Sequence, residues 1–150
     1  MAVYRGRSIW ALGAMSPRVR HSAFEARALE INRLHSRIRN TFKIRDRSPE
    51  HRDRWLTACR EFHARYDQLA FPGGATSARA RLVAGDGAAV EDALRFVECR
   101  PFFFRSGYMY KDFLPKLKRA DLSMSQRKRL EAVVADYDEW KRSKKNDRRA

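Results

Sequence analysis

The chain has 150 residues, with 33 Lys plus Arg against 18 Asp plus Glu and a formal net charge of +15. That length fits one domain and suffices to bury roughly 70% of the extended chain's surface, while 43% hydrophobic and 11% aromatic residues exclude a wholly disordered tail protein. Two cysteines, Cys59 and Cys99, exclude a disulfide scaffold and a four-cysteine zinc module, and no apolar stretch approaches the ~18 residues of a membrane span.

Residues 1–21 read as a flexible basic arm. Arg5 and Arg7 precede a short apolar run, no acid appears before Glu25, and Pro17-Arg18-Val19-Arg20 follows at once. The run is too minimal for a secretory signal; an Arg-rich, acid-poor organellar targeting segment is the alternative. The arm reading places the protein in the cytoplasm, with both cysteines as thiols.

Residues 22–143 read as one all-α domain of five or six helices, because no hairpin turn separates alternating strand-like runs. Ser22-Ala23-Phe24-Glu25 has the form of a capping box and opens the first helix. Phe24, Ala28, Ile31, Leu34, Ile38 and Phe42 follow at three- and four-residue steps on one face. Ser48-Pro49 opens the second helix, since serine caps and proline suits the first turn. Its apolar stripe is Trp55, Cys59, Phe62, Tyr66 and Leu69, with Leu56 beside it, and Phe71-Pro72-Gly73-Gly74 ends it. The short connection predicts an antiparallel pair.

A short Ala-rich helix is expected over 76–83. Asp86 caps a fourth helix over 87–98, with Val90, Ala93, Leu94 and Val97 inward and Pro101 as its stop. Gly107 reads as a turn, and a fifth helix over 108–119 meets Pro115 as a kink or as a sign of a later start. Ser123-Met124-Ser125-Gln126 is a second capping-box pattern. It opens the last helix, with Leu130, Val133, Val134, Tyr137 and Trp140 at helical spacing. Residues 144–150 read as a basic, disordered tail. The helices fit either a compact irregular bundle or a short stack of antiparallel helical hairpins.

The charge is uneven. Residues 1–60 hold 14 basic and 5 acidic side chains, residues 61–100 hold 5 and 6, and residues 101–150 hold 14 and 7. Such a field attracts polyanions. Two basic clusters are candidate anion contacts. One comprises Arg33, Arg37, Arg39, Lys43, Arg45, Arg47 and Arg52; the other comprises Lys116, Lys118, Arg119, Arg127, Lys128 and Arg129. The competing reading is a solvated face with local ion pairs. A polar start to the last helix also allows a helix-turn-helix, though the turn at residues 120–123 is not diagnostic of one.

Phe102-Phe103-Phe104-Arg105-Ser106-Gly107-Tyr108-Met109-Tyr110 is the most aromatic segment. Aromatics interleaved with Arg105 and Lys111 can stack bases while the cations hold phosphate. Burial of all three phenylalanines in an inter-helix corner is the expected arrangement, leaving Tyr108 and Tyr110 as the candidate contacts. Cys59 and His63 share a helix face, but two ligands fall short of a zinc site, and no third group orients them for nucleophilic chemistry. The acidic groups Glu91-Asp92 and Asp136-Asp138-Glu139 read as solvated helix surface. No catalytic constellation, metal or cofactor is expected. The sequence therefore reads as a non-enzymatic binding module, with nucleic acid as partner or, alternatively, an acidic protein.

Overall fold

The computed structural model describes the backbone of residues 17–149 and the side chains of residues 23–149. Six helices run in chain order among these residues: α1 (Pro17–Phe42), α2 (Pro49–Ala70), α3 (Ala75–Val83), α4 (Gly87–Cys99), α5 (Ser106–Arg119) and α6 (Met124–Asp147). No strand occurs among the described residues, and the all-α expectation holds.

The caps explain where most helices begin. Ser48 Oγ accepts from the His51 amide at 3.2 Å, with Pro49 in the first position of α2. The Asp86 carboxylate accepts from the Ala88 and Ala89 amides at 3.0 and 3.4 Å and starts α4. Ser123 and Gln126 form the full capping box of α6, each accepting from the other's amide at 3.1 Å.

Four expectations about helix limits are corrected. The first helix starts at Pro17, so Ser22 lies inside α1 rather than at its cap. The rest of the expected arm, residues 1–16, lies outside the described residues. Gly107 is the second residue of α5 and not a turn; Arg105, at φ 67°, makes the turn instead. Pro115 sits within α5, well after its start at Ser106. The basic tail is helical as far as Asp147, because lysine is a good helix former and cations near a helix C-terminus offset its dipole.

Helices α1 and α2 make the most extensive helix pair. Glu30 meets Arg65, His35 meets Phe62 and Phe42 meets Trp55, so early residues of one face late residues of the other and the pair is antiparallel. One continuous core draws on all six helices. Ile31 and Leu34 of α1, Leu94 and Phe96 of α4, Leu117 of α5 and Phe71 at the end of α2 are its largest fully enclosed members. The α2 stripe sits partly off this core: Phe62 and Leu69 are buried, while Trp55 and Cys59 are only half-buried. Helix α6 packs on α4 with ion pairs between them, contributes Leu130 and Val133 to the core, and extends its last turns along solvent.

Candidate nucleic-acid interface

The most aromatic segment forms the corner between α4 and α5. Arg100 ends α4 in the left-handed region at φ 49°, with its amide bonded to the Phe96 carbonyl at 2.8 Å. Pro101 then prevents further helix. The chain then bends at Phe103 and turns through Phe104 and Arg105 into α5. Phe103 enters the core at 5% exposure, while Phe102 stands out at 86%. Phe104, at 42% exposure, lies against His35, Phe62 and Tyr66 at ring-centroid distances of 5.0, 6.0 and 6.3 Å. Only one of the three phenylalanines is engulfed, which corrects the expectation for all three: the turn from Phe103 to Ser106 aims successive side chains in different directions, and only Phe103 meets the core.

The corner is held from both sides. Asn32 Nδ2 donates to the Phe102 carbonyl at 2.9 Å, and the Tyr66 hydroxyl donates to the Phe104 carbonyl at 2.7 Å. The Phe103 amide donates to Ser106 Oγ at 3.0 Å, and the Ser106 amide returns a bond to the Phe103 carbonyl at 2.9 Å.

A groove of about 400 Å³ opens between this corner and α6, walled by Arg100, Phe102, Gly107, Lys111, Tyr137 and Trp140 among others. The Arg100 guanidinium lies 4.6 Å from the Trp140 ring centre, 5.0 Å from Tyr110 and 5.6 Å from Tyr137. Tyr137 and Trp140 stack at 5.8 Å with their planes 16° apart. A second hollow of about 610 Å³ continues past Trp140 along Lys141, Lys144, Lys145, Arg148 and Arg149. A third lies on the other flank, bounded by Phe104, Arg105 and Tyr108. No acidic residue lines any of the three. Tyr108 is 76% exposed, as a contact residue must be, but Tyr110 is 6% exposed and packs on Tyr137 at 5.4 Å. Tyr110 is thus a wall of the groove rather than an exposed contact. Burial holds its phenol above the usual range, so it stays neutral.

The first basic cluster is largely occupied within the fold. Arg33 makes a forked bond to Glu30 at 3.0 and 2.8 Å, Arg37 bonds Glu61, and Arg52 bonds Asp46. Arg39 donates to Ser36 Oγ at 3.2 Å. Arg45 covers the Phe42 ring at 3.6 Å and comes within 3.7 Å of Asp46. Lys43 and Arg47 are exposed, with no acidic partner at ion-pair distance among the described residues. The bond from Arg33, supported by Arg65, outweighs burial and pulls the Glu30 carboxyl down to about 2.

The second cluster divides. Lys116 pairs with Asp112 at 2.6 Å, and Arg129 bridges Glu91 at 2.9 Å and Glu98. These two cations join helix to helix or turn to turn. Arg127 donates to the Ala120 carbonyl at 3.3 Å. Lys118, Arg119, Arg127 and Lys128 are exposed, with no acidic partner at ion-pair distance among the described residues.

Glu91 and Asp92 are not the solvated surface expected of them. Both are half-buried on α4, within reach of Arg95 at 3.1 and 3.6 Å, and Glu91 also meets α6 through Arg129. Burial, helped by Glu91 and Asp86 and opposed by Arg95 and Arg81, pushes the Asp92 carboxyl from 3.8 up to about 6. The folded state then keeps a proton that the unfolded chain releases between pH 3.8 and about 6. Stability therefore falls as pH rises through that window, and the full cost remains above it. Asp92→Asn is expected to stabilise the fold by about 1–3 kcal/mol at pH 7 and to leave it unchanged near pH 3. Urea denaturation at the two pH values checks this; a midpoint no higher than the parent's at pH 7 refutes it.

Among the described residues, no group of three or more His, Cys, Asp or Glu that could hold a metal ion includes Cys59 and His63. His63 meets Phe62 edge-on at 6.0 Å. The Cys99 thiol, pushed up to about 11 by burial and by Glu25, is far from a thiolate. No helix among the described residues is long and apolar enough to cross a membrane. Comparison with protein-family models, with curated proteins and with solved structures returned no match to this chain.

Proposed function

We propose that the protein is a non-catalytic module that binds nucleic acid, DNA or RNA, across the α4–α5 corner and α6. One observation carries the reading: Phe102, Tyr108 and Trp140 are exposed around hollows lined by Arg100, Arg105, Lys111 and the last cations of α6, with no acid among the lining residues. Lys141 pairs with Asp138 at 3.3 Å, while the other lining cations have no acidic partner at ion-pair distance among the described residues; aromatic faces beside such cations suit a ligand that carries both phosphates and bases. Lys118, Arg119, Arg127 and Lys128 extend the cationic surface and add contacts that hold a backbone without reading sequence. The same proposal puts the protein in the cytoplasm. An acidic protein is the second reading, favoured by exposed Phe102, which offers an apolar anchor inside a basic surround.

The test is fluorescence-anisotropy titration of labelled duplex DNA, single-stranded DNA and RNA across a salt series, with heparin as the plain polyanion. Affinity is expected to fall roughly a thousandfold between 50 and 200 mM salt if about six phosphates are neutralised. At least one nucleic-acid form is expected to outcompete heparin near physiological salt. Equal, weak binding of every polyanion defeats the proposal, and an acidic protein partner should then be sought by pull-down.

A further inference from the structure

We infer that the groove between the α4–α5 corner and α6 seats an unpaired base, so that the preferred ligand is single-stranded nucleic acid. This rests on the nucleic-acid reading above and deepens it.

The groove has the properties that such a subsite requires. Its volume of about 400 Å³ falls in the range of small-ligand sites. Its walls are flat rings: Phe102 on the corner, and Trp140 stacked on Tyr137 across from it. Stacking on an aromatic side chain accepts any base, because every base has a π-face. Lys111 lines the groove itself, and Lys141, Lys144 and Lys145 line the hollow that continues from Trp140. A strand leaving the groove thus meets a row of cations along α6. Duplex bases are already stacked on each other and cannot enter without being flipped out, which costs a few kcal/mol.

Backbone strain points the same way. Among the described residues the only non-glycine positions at positive φ are Arg100 at 49° and Arg105 at 67°, and they bracket the exposed corner. Glycine or asparagine would sit there with less strain. Each arginine instead lays its guanidinium on an aromatic ring, Arg100 on Trp140 at 4.6 Å and Arg105 on Phe104 at 5.4 Å. Strain of this kind gathers at ligand sites. A planar guanidinium held over a ring presents its edge to phosphate and its face to a base.

Gly107 allows the groove to be blocked without disturbing the fold. It lies in α5 outside the left-handed region, and a side chain grown from it enters open space. Gly107→Leu should fill the groove, and Phe102→Ala should remove an exposed wall. Circular dichroism and thermal melting establish that each variant remains folded. The dissociation constants to compare are those for a labelled single-stranded oligonucleotide, its duplex and heparin at one salt concentration. Each variant is expected to weaken single-strand binding roughly 10-fold, with duplex and heparin binding unchanged. Lys144→Glu with Lys145→Glu should instead weaken all three. Equal loss on all three ligands in Gly107→Leu, or no loss on the single strand, overturns the subsite while the general reading stands. If the parent protein binds no oligonucleotide, or binds polyglutamate in preference, both readings fail together.

Discussion

Phe96→Ala is expected to cost about 3–5 kcal/mol, the largest single-residue effect in the molecule. Phe96 is fully buried at the meeting point of four other rings. Phe113 lies 5.3 Å from it at 82°, Phe24 6.0 Å at 82°, Phe103 6.2 Å at 84° and Phe71 6.3 Å at 57°. These partners belong to α5, α1, the corner and the end of α2, so one side chain joins four parts of the chain through α4. Truncation removes the transfer energy of a large ring and leaves a cavity that four separate parts of the chain cannot all move to fill. Edge-to-face geometry adds up to about 1 kcal/mol per ring pair beyond the area term. A domain of this size holds about 5–15 kcal/mol in all, so the variant should be near its folding limit at 37 °C. Chemical denaturation checks it: the midpoint should fall sharply with the slope unchanged. A loss below about 1 kcal/mol would mean that the surrounding rings close over the gap. The same change should loosen Phe103 and with it the exposed face of the corner.

Arg129→Leu is expected to cost about 2–3 kcal/mol at pH 7, more than the loss of a surface pair. Arg129 bonds Glu91 and Glu98 at once, and all three side chains are more than two-thirds shielded from solvent. Burial pushes the Glu91 carboxyl up, but bonds from Gln126 and Arg129 and the charges of Arg129 and Arg95 outweigh it, and the net shift is downward. A carboxylate held below its unfolded value stabilises the fold above that value, and the benefit is lost as pH falls through the folded one. Without Arg129, two partly buried carboxylates remain on one side of α4 with one cation fewer, and desolvation prevails. The gap between parent and variant should therefore narrow as pH is lowered through the ordinary carboxylate range. Urea midpoints from pH 7 to pH 3 read this directly. Glu98→Gln in the Arg129→Leu background should recover part of the loss, because it removes a charge left without its partner. A gap that stays constant with pH would mean that Arg129 contributes packing alone.

Local rules made the helices legible. Serine before proline, aspartate before a glycine-led apolar stripe, and Ser-x-x-Gln each mark a helix start that depends on residues within one turn. The α1 stripe is buried from Phe24 to Leu34 as its spacing predicts, but Ile38 is only half-buried and Phe42 is exposed. Ser22 misled because its pattern resembles a cap from within a helix that Pro17 begins. The candidate face was legible only in part. The 102–110 segment stands out by composition, yet which of its rings face water depends on the left-handed turns at Arg100 and Arg105, and positive φ at arginine leaves no mark in the sequence. Trp140 keeps the helical spacing of Tyr137 but lies beyond the end of the core, which burial alone reveals. Arg33, Arg37 and Arg129 count as free cations in a tally of charge, yet Arg37 and Arg129 find their acids on another helix. Arg33 finds Glu30 one turn back, a spacing that the sequence already displays.

The side-chain bonds from Asn32 and Tyr66 to the carbonyls of Phe102 and Phe104 have a kinetic meaning. They tie the corner to α1 and α2 before any ligand arrives, so binding orders little protein and conserves entropy. Under the proposed function, association is then governed by long-range charge and differs little from one oligonucleotide to the next. Differences between oligonucleotides should show instead in how long each complex lasts.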